Sequence, residues 1–152
     1  MILDERTEFA DAVTLTTGTG TNNEGDIIDM GTGGVDAGQG QPVYVVIQVD
    51  TAMTSGGSAT VQFSVVSDST STIATDGTQT IHFLSDAFAV ADMTAGATFV
   101  FALPVGFDDV AAYERYLAFQ VVVGTAALTA GAVNAFLTLD PHGWTSHADA
   151  NN

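Results

Sequence analysis

The chain has 152 residues and a mass of 15.6 kDa, with no lysine, two arginines, eighteen carboxylates and a net charge of -16. That balance repels phosphate backbones and anionic lipid, so nucleic-acid binding and a polybasic membrane contact are not expected. Cysteine is absent, which removes disulfide scaffolds, thiolate metal sites and cysteine nucleophiles.

The length suits one domain, and a hydrophobic content of 46% suffices for one core. Charged residues make up only 13%, with Thr, Ser, Gly and Ala in their place. This composition favours short strands and tight turns over a helical bundle. The stretch from Met1 to Glu5 has neither a basic nor an apolar signal region, and no apolar run approaches the length of a membrane span. A cytosolic product, or one assembled in a cytosol, is expected. Strong acidity without lysine also occurs in proteins of salty habitats.

In chain order, weak strand signals lie at 12–16 and 26–30. Gly-rich segments at 18–25 and 31–40 read as turns. Period-2 alternation is clear from Pro42 to Asp50, where Val43, Val45, Ile47 and Val49 share a face. It recurs from Ser58 to Ser67, with Ala59, Val61, Phe63 and Val65 on one side. After a Ser/Thr-rich loop at 67–75, Ile81 and Phe83 are expected on one face, with Thr80 and His82 opposite. Phe99, Phe101 and Leu103 then stand in phase, and residues 108–113 could form a short helix. Leu117, Phe119, Val121 and Val123 mark the next strand, and Val133, Ala135, Leu137 and Leu139 the last. About eight strands suggest an all-β, antiparallel two-sheet sandwich or jelly roll. The expected layout is an N-terminal arm at 1–12, a sandwich at 13–139 and a tail at 140–152.

The candidate chemistry is sparse. His142 and His147 flank Trp144 in the tail, where Asp140 could join them around a metal, but a solvated tail explains them as well. His82 reads as a surface or interface residue on a polar strand face. The loop Asn22-Asn23-Glu24-Gly25-Asp26 has cation-type oxygen ligands without EF-hand spacing. Asp108 and Asp109 suit helix capping better than acid–base work. A phosphate-binding Gly-Lys loop is impossible without lysine, and no nucleophile-elbow motif is present. No catalytic residue, cofactor or metal site is assigned, and an enzyme is not expected. Tyr113-Glu114-Arg115-Tyr116 places one of the two cations between aromatic rings, where it could fix the start of a strand or serve an interface.

The opening Met1 to Asp11, Pro42 to Asp50 and Ser55 to Phe63 resemble a family of tailed-phage capsid cement proteins, also called decoration or stabilisation proteins. So do Tyr113 to Leu117, Gly124-Thr125, Thr129 to Gly131 and Asn134 to Leu137, in the same order along nearly the whole chain. The resemblance implies a jelly-roll sandwich on the outer surface of an icosahedral phage head, assembled in the host cytoplasm. It further implies that the protein clamps neighbouring major capsid proteins after expansion, as a dimer or trimer on a local symmetry axis. The expected contact residues are Ile2, Leu3, Arg6 and Phe9 of the arm, with Tyr113, Arg115, Tyr116 and Trp144. An arm folded back onto its own sandwich is the alternative to an arm that grips. A glycan-binding jelly-roll module is the alternative function, with Tyr44 and Trp144 as its best aromatic candidates.

Overall fold

The structure, a computed structural model, describes residues 4–32, 41–104 and 112–142. Among them are nine strands: β1 (Glu8–Thr14), β2 (Gly20–Asp29), β3 (Tyr44–Ser55), β4 (Thr60–Asp68), β5 (Thr80–Leu84), β6 (Phe88–Ala89), β7 (Thr98–Ala102), β8 (Tyr116–Gly124) and β9 (Leu128–Thr138). Two 3₁₀ turns, Glu5–Thr7 and Val90–Asp92, complete the regular structure. One sheet has the order β1-β9-β3-β7, the other β2-β8-β4-β5, with β6 also pairing β4. All pairings are antiparallel. First strand pairs with last and second with penultimate, the winding of a jelly roll. The expected all-β, jelly-roll-like sandwich is what the chain forms.

The alternation seen in the sequence builds the core. Val45, Ile47 and Val49 of β3 face Val61, Phe63 and Val65 of β4 and Leu117, Phe119 and Val121 of β8, all buried. Phe63 lies at the centre, 5.9 Å from the Phe119 ring and 5.6 Å from Phe99. Phe9 stacks on the other side of Phe119 at 6.3 Å. Each such ring contributes roughly 1.5–3 kcal/mol by leaving water.

Three features differ from expectation. The sandwich begins at Glu8, inside the segment read as an arm, because Phe9 enters the core and β1 pairs with β9. Bulges between Glu8 and Ala10 and between Ala10 and Val13 break the alternation that would have revealed it. Residues 18–25, read as a turn, are mostly β2, an edge strand held by its backbone ladder to β8. Gly25 is required there: its φ is +73°, and a Cβ would sit 1.9 Å from the Phe9 carbonyl oxygen. β5 carries a bulge at His82, which is passed over as the pairing steps from Phe83–Val65 to Ile81–Val66, so that Ile81 turns outward and His82 inward, against the expected phase. Residues 108–111 lie outside the described residues, and Ala112 and Tyr113 are not helical.

Replacing the central ring, Phe63→Ala, is expected to cost about 3–5 kcal/mol, read as a lowered urea midpoint with an unchanged slope. A loss under about 1 kcal/mol would show that the ring is not central to the core.

Candidate functional site

The N-terminal segment folds against the β1–β2 flank. Asp4 caps the first 3₁₀ turn, accepting the Arg6 amide at 3.0 Å. This turn holds Arg6 in solvent, where it has no ion pair among the described residues. Arg6 lines a groove of about 310 Å³ with Glu5, Glu8, Asp26, Ile27 and Asp29. Burial pushes the Glu8 carboxyl above its usual range, and the charges of Asp11, Glu5 and Asp26 push it further. Ile27 is 40% exposed, a large aliphatic group left in water. The groove therefore combines crowded carboxylates, a guanidinium without an ion pair among the described residues, and an apolar anchor.

Arg115 is differently placed. Its Nε and Nη2 each donate to Asp29 at 2.8 Å, and the guanidinium lies 4.9 Å from the centroid of the Tyr116 ring. The Arg115 hydrogen bond, then the Gly31 amide, lowers the Asp29 carboxyl to about 2. The pair ties the end of β2 to the start of β8, so Arg115 serves its own fold here.

Tyr113 is buried, with its hydroxyl donating to the Pro104 carbonyl at 2.8 Å. Burial pushes this phenol up to about 12. Its ring stacks on His82 at 3.8 Å, and His82 Nε2 lies 2.7 Å from Ser67 Oγ. Ser67 Oγ also accepts the Glu114 amide at 3.0 Å, while Thr80 donates to the Glu114 carboxylate at 2.8 Å. His82 is thus a buried joint between β4, β5 and the start of β8, not the surface residue expected. A Ser–His pair at this distance suits nucleophilic catalysis in principle. Ser67 is completely buried, however, and its oxygen is engaged by the backbone, so the arrangement braces the fold.

The Asn22–Asp26 segment does not converge on an ion. Asn22 donates to Gly18 and Gly20 carbonyls, Asn23 donates to Ile73, and Glu24 turns inward. Burial raises the Glu24 carboxyl above its usual range. Asn23 also accepts from Gln120, which donates to Ala74 at 2.8 Å and accepts from Gln79 at 3.3 Å. This amide network pins the 69–79 loop over the outer face of the second sheet, where Ile73 covers Val66 and Ala118. Sequence reading missed it, although Gln120 is a lone amide in an otherwise apolar strand.

Phe9, expected at an interface, has its whole side chain in the core, as Tyr113 nearly has. Tyr116 and Tyr44 are half-buried, and His142 is exposed with its amide on Asp140. Ile2, Leu3, Asp108, Asp109, Trp144 and His147 lie outside the described residues. Among the described residues no cluster of three His, Asp or Glu is placed to hold a metal ion, and no helix is long and apolar enough to cross a membrane.

A family model described as Bbp16 matches residues 9–137. No curated protein matches the chain. Among solved structures, a chain from the structure of infectious bursal disease virus, Gx strain, aligns at 10% identity with a TM-score of 0.37, covering 90% of this chain and 32% of that one. The present chain spans about a third of that protein's length.

The buried imidazole makes stability depend on pH. Burial lowers His82 from 6.5 to about 4. The unfolded chain therefore binds this proton first as pH falls. The contribution is complete above about 6.5 and is lost as pH falls through about 4. At about 1.4 kcal/mol per pH unit, the drop from pH 7.5 to 4.5 should be about 2 kcal/mol smaller in His82→Phe than in the wild type. Urea titrations of both proteins at the two pH values check this, and equal drops would contradict it.

Proposed function

This chain belongs to the Bbp16 family, and from that premise we propose that it is a structural virion protein, a cement on the outer surface of an icosahedral phage head. In this reading it clamps neighbouring major capsid proteins and acts with copies of itself. The collinear resemblance along the chain supports the reading, and so does the jelly-roll fold. The observation that carries it is the groove on the β1–β2 flank. Arg6 lacks a carboxylate partner among the described residues, Ile27 is exposed, and Glu8 sits among like charges. Each of these is an unmet demand that a complementary protein surface satisfies. A carboxylate takes Arg6 in a bidentate contact, an apolar side chain covers Ile27, and a basic side chain relieves Glu8. A net charge of -16 also suits a position outside the shell, away from the packaged genome.

The glycan-binding alternative needs exposed rings for stacking. No Phe, Tyr or Trp side chain is exposed among the described residues, and Tyr44 is half-buried in β3.

The grip is best tested by substitution, because removing the first nine residues would also remove Phe9 from the core. Arg6→Glu combined with Ile27→Ser changes only exposed side chains, so the variant is expected to melt like the wild type. Co-sedimentation with expanded heads that lack the protein should show at least a tenfold weaker association. Wild-type occupancy by this variant would remove the groove as the contact.

A further inference from the structure

The outer face of the first sheet is buried where an outer face should be wet. On β3 and β9, Val45, Ile47, Val133 and Ala135 point into the sandwich, so Val46, Gln48, Asn134 and Phe136 point away from it. Val46 pairs with Phe136 and Gln48 with Asn134 in an unbroken stretch of the ladder. Yet Val46 is 0% exposed, Phe136 2% and Gln48 4%. Val46 and Phe136 belong to neither of the buried clusters that the sandwich forms. Val100, the next residue of the same row on β7, is 42% exposed. The burial is therefore a local strip and does not extend over the whole face.

A sheet does not dry such a strip by itself. Its side chains stand off the pleat, and their tips stay in water unless a second layer packs on them. The nine described strands all belong to the two sheets, and neither 3₁₀ turn has a buried residue. The cover therefore comes from chain beyond the described residues. Gln48 Nε2 adds a polar demand, because it is buried without a hydrogen-bond partner among them. The chain leaves β9 at the foot of the strip. Thr138 pairs with Tyr44, two residues below Phe136 and Val46. There the Asp140 amide bonds Thr138 Oγ1 at 3.2 Å and the His142 amide bonds Asp140 Oδ1 at 3.1 Å, which ends the strand. Residues 143–152 follow, with Trp144, the one tryptophan of the chain, near their start. The way back to Phe136 is about 7 Å along the strand, well within the reach of about 3.3 Å per extended residue. Residues 33–40, by contrast, offer four glycines and a single large apolar side chain, Val35. Residues 105–111 run between Pro104 and Tyr113, whose hydroxyl-to-carbonyl bond of 2.8 Å holds both ends at the edge of the sandwich.

We propose that the segment after β9 is a strap that turns back across the outer face of its own first sheet and seats Trp144 on Val46 and Phe136. The indole supplies the apolar cover, with its ring against the Phe136 ring. The passing backbone supplies a carbonyl for Gln48 Nε2. Trp144 then serves the fold of its own chain, in place of the capsid or glycan contact that the sequence suggested for it. The strap also removes this part of the first sheet from the surfaces open to a partner. The proposal stands on the burial of the strip and does not depend on the capsid reading.

The absence of cysteine and the single tryptophan give clean tests on the full chain. Under native conditions the thiol of Val46→Cys should react with a maleimide at least tenfold more slowly than that of Val100→Cys, its neighbour in the row. Adding Trp144→Ala should raise the rate at Val46→Cys at least tenfold, with the far-ultraviolet circular dichroism of the sandwich unchanged. The wild type needs no substitution to report: its tryptophan emission should be blue-shifted and poorly quenched by acrylamide. Emission and quenching of a solvated indole would overturn the proposal. So would protection of the Val46→Cys thiol that survives Trp144→Ala, which would give the strip to another segment. Protection that falls on dilution would give it to a second copy and would overturn the proposal equally.

Discussion

A shortage of cations governs this molecule. With two arginines against eighteen carboxylates, the chain cannot hold itself together with ion pairs. One arginine forms the bidentate pair with Asp29, and the other stands unpaired among the described residues. Everything else that fixes the fold works without an ion pair among the described residues. The core does this through aromatic rings, with Phe63 between Phe119 and Phe99 and Phe9 at the far side. Outside the core, hydroxyls and amides take the place of charges.

Two networks built without ion pairs show how. Gln120 reaches Asn23, Gln79 and the Ala74 carbonyl, and so fastens a long loop to the second sheet. Ser67, His82, Tyr113 and Glu114 join β4 and β5 to the start of β8. Both have buried centres, Gln120 in one and Ser67 with His82 in the other, and are nearly complete, which suits a rigid part more than a reacting site. The exception is His82 Nδ1, which has no hydrogen-bond partner among the described residues. The same shortage shapes the surface. The acidic flank offers itself to a partner with complementary charge.

Much of the fold was legible in the sequence, and the failures have physical causes. Val45 to Val49, Val61 to Val65 and Leu117 to Val123 alternate because one face of each strand packs between the sheets, although residues of the other face, such as Val46, Gln48, Ser64 and Gln120, are buried as well. Of β2 only the end showed, in the weak signal at 26–30, because Gly20 to Asp29 forms its ladder with β8 while burying almost nothing. The start of β1 was hidden by its bulges, which left only a weak signal at 12–16, and His82 was put on the wrong side by the bulge it forms in β5 itself. The site was legible only in part. Arg6 is exposed as an arm residue would be, whereas Phe9, three residues later, belongs to the core. The aromatic cluster around Arg115 was visible, but nothing in the local sequence pointed to Asp29, 86 residues away, as its mate.

The capsid reading stands or falls on where the protein sits. Expanded heads assembled with and without this chain can be compared by image reconstruction. The account predicts difference density of jelly-roll size on the outer surface, bridging neighbouring major capsid proteins, with the acidic flank toward the shell. Identical reconstructions, or density confined to the interior, would contradict it.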